Sequence, residues 1–416
     1  MCESKFLEYK EKVTNTFLKT VSAYANYGTG KILFGLKDDG TIVGINNAQK
    51  VCLDIENMIN DSISPQPDYS IEINKKSVIT LTVREGLNKP YLYKSKAYKR
   101  NDTSTVEADR LEFTRLILEG KNISYENLKA EKQKLTFKVL ERNLKNIVGI
   151  KTINNDILRT LELYSSDEGY NKAGEILADV NTFPGIDIVR FGSNINIILS
   201  REIIEKESVL TQYEKALEIY RKYYTYEEIK GSRREIIETI PEKAFREAVI
   251  NALLHRTWDV KAQIRIAMFD DRVEIMSPGS LPKGLSEKEY LDGQVSILRN
   301  PILGNVLFRL HLIERFGTGV KRINEEYLKS RIKPKFEFYD NSIKVTLPVM
   351  EFDLGLKDDE LRIYNALKNK QILSSSEITG ITGFGKNKTI EILKKLVNLG
   401  YIKVTGSGRG TKYGIY

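Results

Sequence analysis

Residues 242–258 carry the most regular amphipathic pattern in the chain: Phe245, Val249, Ala252 and Leu253 fall on one face at helical spacing. Two apolar runs follow at 264–269 and 273–276, and Asp270-Asp271-Arg272 between them predicts a β-hairpin. Helix followed by hairpin makes this half of the chain a mixed α/β segment. The polar side of the same helix is equally ordered. Glu247 and Asn251 lie four residues apart, hence on one face, and His255 continues that face one turn later. An acid able to orient water, beside an amide oxygen able to ligate Mg²⁺, suits nucleoside-triphosphate chemistry. The same polar row also describes an ordinary solvated helix face.

The first 118 residues read as a separate α+β segment. A helix is predicted over 14–24, with Phe17, Leu18, Val21 and Tyr24 on one side, ended by Asn26-Tyr27-Gly28-Thr29-Gly30. A buried strand at 31–36, a turn at Lys37-Asp38-Asp39-Gly40 and a returning strand at 41–45 come next, then a helix over 51–63 and strands near 71–73 and 78–83. Glu3, Glu8, Lys10 and Asp38 are the chemical candidates here. Carboxylates in twos and threes hold Mg²⁺ or Mn²⁺ beside a phosphodiester, where the metal activates water. Positions five apart share neither a helix face nor a strand face, so a bend must join Glu3 to Glu8, and surface acids remain the competing reading. Gly28-Thr29-Gly30-Lys31 is not a P-loop, because Ala25 and Ile32 stand where that motif needs Gly and Ser or Thr. Further on, Tyr91, Tyr93 and Tyr98 interleave with Lys94, Lys96, Lys99 and Arg100. Such a strand either stacks bases and neutralises phosphates or is an edge strand protected by lysines.

Polar sequence at 119–134 is expected to be a linker or exposed helix. A middle portion reaches to 230, with strands at 186–190 and 195–199 and a helix over 213–224. The α/β segment described first occupies 231–352. The tail, 358–416, reads as helices over 359–367, 376–379 and 388–399, then strands at 401–404 and 412–416 around a glycine-rich tip. That is the winged-helix plan, a helix-turn-helix variant. Lys386, Asn387 and Lys388, with Thr389, stand at the N-terminal end of the third helix, and Arg409 stands in the wing, where phosphate and base contacts are made. Winged helices used for protein contacts are the alternative.

Lys and Arg outnumber Asp and Glu by 65 to 56, a net charge of +9, which favours polyanionic partners without requiring them. Two cysteines exclude a disulfide framework or a cysteine zinc site. No membrane-length apolar stretch and no secretory run at the N-terminus are found, so a reducing cytoplasmic setting is expected.

Several ordered motifs resemble known families. Glu3-Ser4, Leu7-Glu8-Tyr9-Lys10, Ser22-Ala23-Tyr24-Ala25-Asn26, Gly28, Gly30 to Gly35, Asp38-Asp39-Gly40 and Val43-Gly44, with Tyr98-Lys99-Arg100, resemble the Schlafen AlbA-2 domain. That resemblance implies a nucleic-acid-binding fold, contacts from Lys10, Lys99 and Arg100 and, in some members, metal-dependent cleavage of tRNA by two glutamates and an aspartate, here Glu3, Glu8 and Asp38. Tyr9 stands where the family usually has phenylalanine. Pro241-Glu242-Lys243-Ala244, Glu247 to Ala252 and His255-Arg256 resemble the N-box of GHKL-type ATPases. Ser277-Pro278-Gly279, Arg299-Asn300-Pro301 and Glu314-Arg315-Phe316-Gly317-Thr318-Gly319 follow in that family's order. This resemblance implies that Glu247 orients water, Asn251 binds Mg²⁺, and His255, Gly279, Gly317 and Gly319 contact nucleotide, the last two through backbone N–H groups. The adenine-reading Asp-x-Gly-x-Gly box is replaced by Ser277-Pro278-Gly279-Ser280-Leu281, without its carboxylate.

The expectation is thus an α+β multidomain chain: an AlbA-2 head, a GHKL-like α/β sandwich and a C-terminal winged helix. Its expected ligands are ATP, Mg²⁺ or Mn²⁺ and DNA or RNA, and it is expected to form a homo-oligomer. Two functions fit: a DNA-binding transcriptional regulator whose nucleotide state biases nucleic-acid engagement, or a Schlafen-like metal-dependent endonuclease acting on structured RNA, which would suit phage defence.

Overall fold

The computed structural model describes residues 3–230, 233–282, 284–293, 297–314, 317–350, 356–370, 372–406 and 408–415. Near the N-terminus, strand Leu7–Lys10 pairs in parallel with Gly30–Phe34, and helix Phe17–Tyr27 makes the crossover that parallel pairing requires. Ile79–Val83 and Tyr69–Ile73 extend the sheet antiparallel, and helix Ala48–Ser62 packs beside it. Along Gly30–Phe34 burial alternates: Ile32 and Phe34 are inside and Lys31 is outside. Phe17 meets Phe34 edge-on, with ring centroids 5.3 Å apart.

Residues 41–45 form no returning strand. Beyond a single bridge between Leu36 and Ile42, the chain folds back on two glycines, where Val43 and Gly44 both donate to the carbonyl of Gly35. Gly35 (φ 93°) and Gly44 (φ 75°) sit so close that a β-carbon on the first would stand 3.0 Å from the backbone of the second. The antiparallel neighbour of Gly30–Phe34 is therefore Ile79–Val83. Tyr91, Tyr93 and Tyr98 point inward and complete this core rather than offering rings to a ligand. Helix Arg110–Gly120, opened by an Asp109/Glu112 capping box, closes the domain. The stretch expected to be a linker contains a short 3₁₀ turn, Tyr125–Asn127, whose Glu126 is fully buried.

A second and larger core runs without a break from Phe137 to Leu347. Its six-stranded sheet has the order Ile198–Ile204, Ile186–Phe191, Ile264–Met268, Arg272–Pro278, Ser342–Pro348, Lys335–Tyr339. It is antiparallel except between Ile186–Phe191 and Ile264–Met268. Helices Val209–Tyr224 and Glu242–His255 contribute their apolar sides to this core. The strand expected at 195–199 begins only at Ile198, because Asn194 first makes a turn: its side chain accepts from Asn196 N and its carbonyl from Ile197 N.

Helices Asp358–Lys370, Ser375–Thr382 and Lys386–Asn398 pack with a three-stranded antiparallel sheet on a third small core that includes Ile363, Leu367, Leu393 and Ile402. Strand Ile372–Ser374, between the first two helices, was not expected from sequence. Among the described residues no helix is long and apolar enough to cross a membrane.

Candidate functional site

Helix Glu242–His255 buries Ala244, Phe245, Ala248, Val249, Ala252 and Leu253 in the large core, which fixes the opposite face carrying Glu247, Asn251 and His255. Asn251 Nδ2 donates to Glu247 Oε1 at 3.2 Å, leaving the Asn251 amide oxygen as an acceptor. Facing them is the start of helix Gly319–Glu326. A β-carbon at Gly319 would lie 2.3 Å from Glu247 Oε1 and 2.6 Å from Asn251 Nδ2, so a larger residue there would displace these two side-chain ends. Gly317, with φ 63°, turns the chain into that helix. Asn251, His255, Gly317 and Gly319 line one recess, closed on its apolar side by Leu285 and Tyr290. The first N–H groups of a helix lack partners inside it and attract anions. An amide oxygen, an acid and a glycine-lined helix start are thus brought together.

Burial raises the Glu247 carboxyl above its ordinary range; Arg322, 3.8 Å away, opposes the shift. A raised carboxyl is the better proton acceptor. Burial, with the charge of Arg299, pushes His255 down to about 4, so its imidazole is neutral near pH 7. Its Nδ1 is buried with no hydrogen-bond partner among the described residues.

Gly279 lies away from the recess. It caps the turn after strand Arg272–Pro278, with φ 119°, its N–H on the Asn341 carbonyl and no space beside Thr257 for a β-carbon. Next to it, Ser277 Oγ donates to the carbonyl of Ala252 at 2.8 Å, so this hydroxyl is spent on the helix. Arg322, Tyr290 and Asn300 belong to the surroundings and were given no role from sequence. Arg322 follows Gly319 by three residues, a helical spacing that could have pointed to it. Asn300 before Pro301 marks a helix start, since proline favours the first helical position.

The N-terminal candidates are arranged differently. Glu8 is buried; its Oε1 lies 2.7 Å from Lys10 Nζ and its Oε2 3.5 Å from Arg100 Nη1. Glu3 Oε1 accepts from the N–H of Tyr9 at 2.8 Å. Asp38 is exposed on its turn. Among the described residues no three His, Cys, Asp or Glu side chains are grouped to hold a metal. Arg100, expected on a nucleic-acid-facing strand, is turned inward onto Glu8, Thr105 Oγ1 and the carbonyl of Ser4. Lys99 pairs with Glu112. In the tail, Lys386, Asn387 and Lys388 are exposed on the first turn of helix Lys386–Asn398. Lys388 pairs with Asp359 at 2.6 Å and sits over the Phe384 ring. Arg409 belongs to the 3₁₀ turn Gly408–Gly410.

An α/β half holding an acid–amide helix against a glycine turn is thus preceded by a smaller α/β domain with its own core, a multidomain arrangement. Residues 3–109 match the family Schlafen, AlbA_2, and residues 261–347 match the family described as putative ATP-dependent DNA helicase recG C-terminal, so the chain joins a Schlafen AlbA_2 domain to a GHKL-like one. Gly317 and Gly319 fall inside the second match; Glu247, Asn251 and His255 lie just ahead of it. No curated protein matches the chain. The crystal structure of the DIP2311 protein from Corynebacterium diphtheriae is similar in fold, with a TM-score of 0.50 and 16% identity over 99% of this chain and 92% of that one.

Proposed function

We propose that the chain is an ATP-binding, nucleic-acid-binding regulator of the DNA-binding, transcriptional type, acting in the cytoplasm, in which nucleotide occupancy biases nucleic-acid engagement. The observation that carries this reading is the seat of Gly319 on Glu247 and Asn251, a cradle that a β-carbon would fill. The donor set fits the phosphate end of a Mg·nucleotide. The Asn251 amide oxygen would ligate Mg²⁺, backbone N–H groups at 317–319 would bind phosphate oxygens, and Glu247, with its raised carboxyl, would hold water. The cation would supply charge neutralisation between the phosphates. At the base end the match is poorer. Ser277 is committed to Ala252 and offers no carboxylate for an adenine amino group, so recognition rests on the phosphates.

Nucleic acid is assigned to the N-terminal domain, which matches the Schlafen AlbA_2 family, and to the tail, read as a winged helix, with Lys386, Asn387 and Lys388 at the exposed end of its third helix and Arg409 in the wing. A nuclease reading of the head would require Glu8 to exchange Lys10 and Arg100 for a metal, and that favours the regulator. Calorimetry with Mg·ATP tests the proposal. Wild type is expected to bind and Asn251→Ala to bind at least about tenfold more weakly with an unchanged fold; equal affinities would remove the role given to Asn251.

A further inference from the structure

Helix Glu242–His255 ends without a glycine cap, and side chains from elsewhere satisfy its last carbonyls. Asn300, itself buried, gives its amide to both Leu254 O at 2.6 Å and Arg256 O at 3.0 Å, on either side of His255. The position of His255 in the recess therefore depends on Asn300. Asn300 stands directly before helix Pro301–Arg309, and the first free N–H groups of that helix, those of Ile302 and Leu303, donate to the two oxygens of Glu126 at 2.5 and 2.9 Å. Glu126 has no exposure to solvent. Displacing Glu126 would leave the Ile302 and Leu303 N–H groups without their acceptor in a buried setting.

A second tie runs parallel to the first. Arg115 makes a two-pronged pair with Asp259, Nε to Oδ2 at 2.7 Å and Nη2 to Oδ1 at 3.0 Å, three residues beyond Arg256. Arg115 lies on helix Arg110–Gly120, which is fastened to the N-terminal domain by Lys99 to Glu112 and by Lys89 to Glu119. Between the two ties runs an open cleft bordered by Leu116, Tyr125, Trp258 and Arg299. Beside this cleft, Arg115–Asp259 joins the N-terminal domain to the second core.

We infer that Arg115 and Asp259 form a positioning pair that couples the N-terminal domain to the nucleotide recess, with Glu126 fixing the helix start that carries Asn300, so that nucleotide and a polynucleotide on the N-terminal domain alter each other's affinity through the end of helix Glu242–His255. The inference rests on the nucleotide reading above. It assigns the coupling to groups that touch neither ligand.

The full-length chain tests it with a fluorescent ATP analogue and Mg²⁺, titrated with and without saturating tRNA, and again with single-stranded DNA. One of the two polynucleotides is expected to change wild-type nucleotide affinity by roughly fivefold or more. Arg115 is partly exposed, so Arg115→Asp should fold; it is expected to abolish the change, and the reversal Arg115→Asp with Asp259→Arg to restore it. Coupling that survives in Arg115→Asp, or nucleotide binding in wild type that neither polynucleotide alters, overturns the inference and leaves the nucleotide reading standing. If wild type binds no nucleotide, that reading falls, and amide exchange in the unliganded chain decides the tie by itself. Glu126→Gln is expected to speed exchange at residues 253–258 by about tenfold while helix Lys386–Asn398 is unchanged; unaltered exchange at 253–258 overturns it.

Discussion

The side chain of Glu8 and the guanidinium of Arg100 are buried together, Oε2 3.5 Å from Nη1, with side-chain exposures of 7% and 3%. A pair in that setting is far more sensitive to loss of one member than to replacement of both. Glu8→Ala should destabilise the N-terminal domain by about 3 kcal/mol, because Arg100 is left without its carboxylate. Urea unfolding of the isolated substitution and of Glu8→Leu with Arg100→Met checks this, the double change being expected to recover much of the loss. Any nuclease assay on Glu8→Ala accordingly needs a folding control.

Gly319→Ala should push Glu247 and Asn251 apart. The backbone there is ordinary, so the cost is steric, roughly 1–3 kcal/mol of stability, together with weaker Mg·nucleotide binding. Thermal unfolding and calorimetry on the same sample read the two effects; a stable variant with full affinity would show that the contact yields without consequence.

Glu126 carries a pH signature. Burial pushes its carboxyl up to about 7, against the two backbone N–H donors and Ser124. A carboxyl whose folded value lies above its unfolded value binds a proton more readily in the folded state. Its contribution is therefore most favourable below about pH 4.3 and is lost as pH rises through about 7. Relative to Glu126→Gln, which does not titrate, wild type should lose up to roughly 3 kcal/mol across that window and nothing further above it. Denaturation midpoints of both proteins between about pH 5 and about pH 8 measure the difference; a constant gap would assign the burial no electrostatic cost.

Polynucleotide binding by the tail should fall steeply with salt and be largely removed by deleting residues from Asp358 onward. Lys386→Ala is expected to reduce the slope of log affinity against log salt by about 1, as for loss of one phosphate contact. Lys388, partly neutralised by Asp359, should matter less. Fluorescence anisotropy over a salt series decides it, and a flat response would deny phosphate contact.

Local periodicity made the site helix legible: Phe245, Val249, Ala252 and Leu253 are buried as their spacing predicts, and Glu247 and Asn251 share the other face. The strands at 71–73 and 78–83 and the tail helices were legible for the same reason. Alternation put Tyr91 and Tyr93 on one face but did not show that this face is the buried one, and it could not group Tyr98, which lies on another strand, with them. Charge gave no warning that Arg100 turns inward, since its partner Glu8 is far away in sequence. Glu126 sits in a polar stretch that reads as linker, and only a distant helix start explains its burial. Turn chemistry correctly placed the turn at Lys37-Asp38-Asp39-Gly40, but the contact between Gly35 and Gly44, invisible one residue at a time, replaced the strand expected after it.

The interior that extends unbroken from Phe137 to Leu347 has a practical consequence for anyone cutting this polypeptide into pieces. A fragment started near residue 231 would carry four strands of the central sheet and leave Ile264–Met268 with a raw edge where Ile186–Phe191 belongs. Such a fragment should aggregate, whereas one beginning ahead of the 3₁₀ turn at Tyr125 keeps both the sheet and its latch intact.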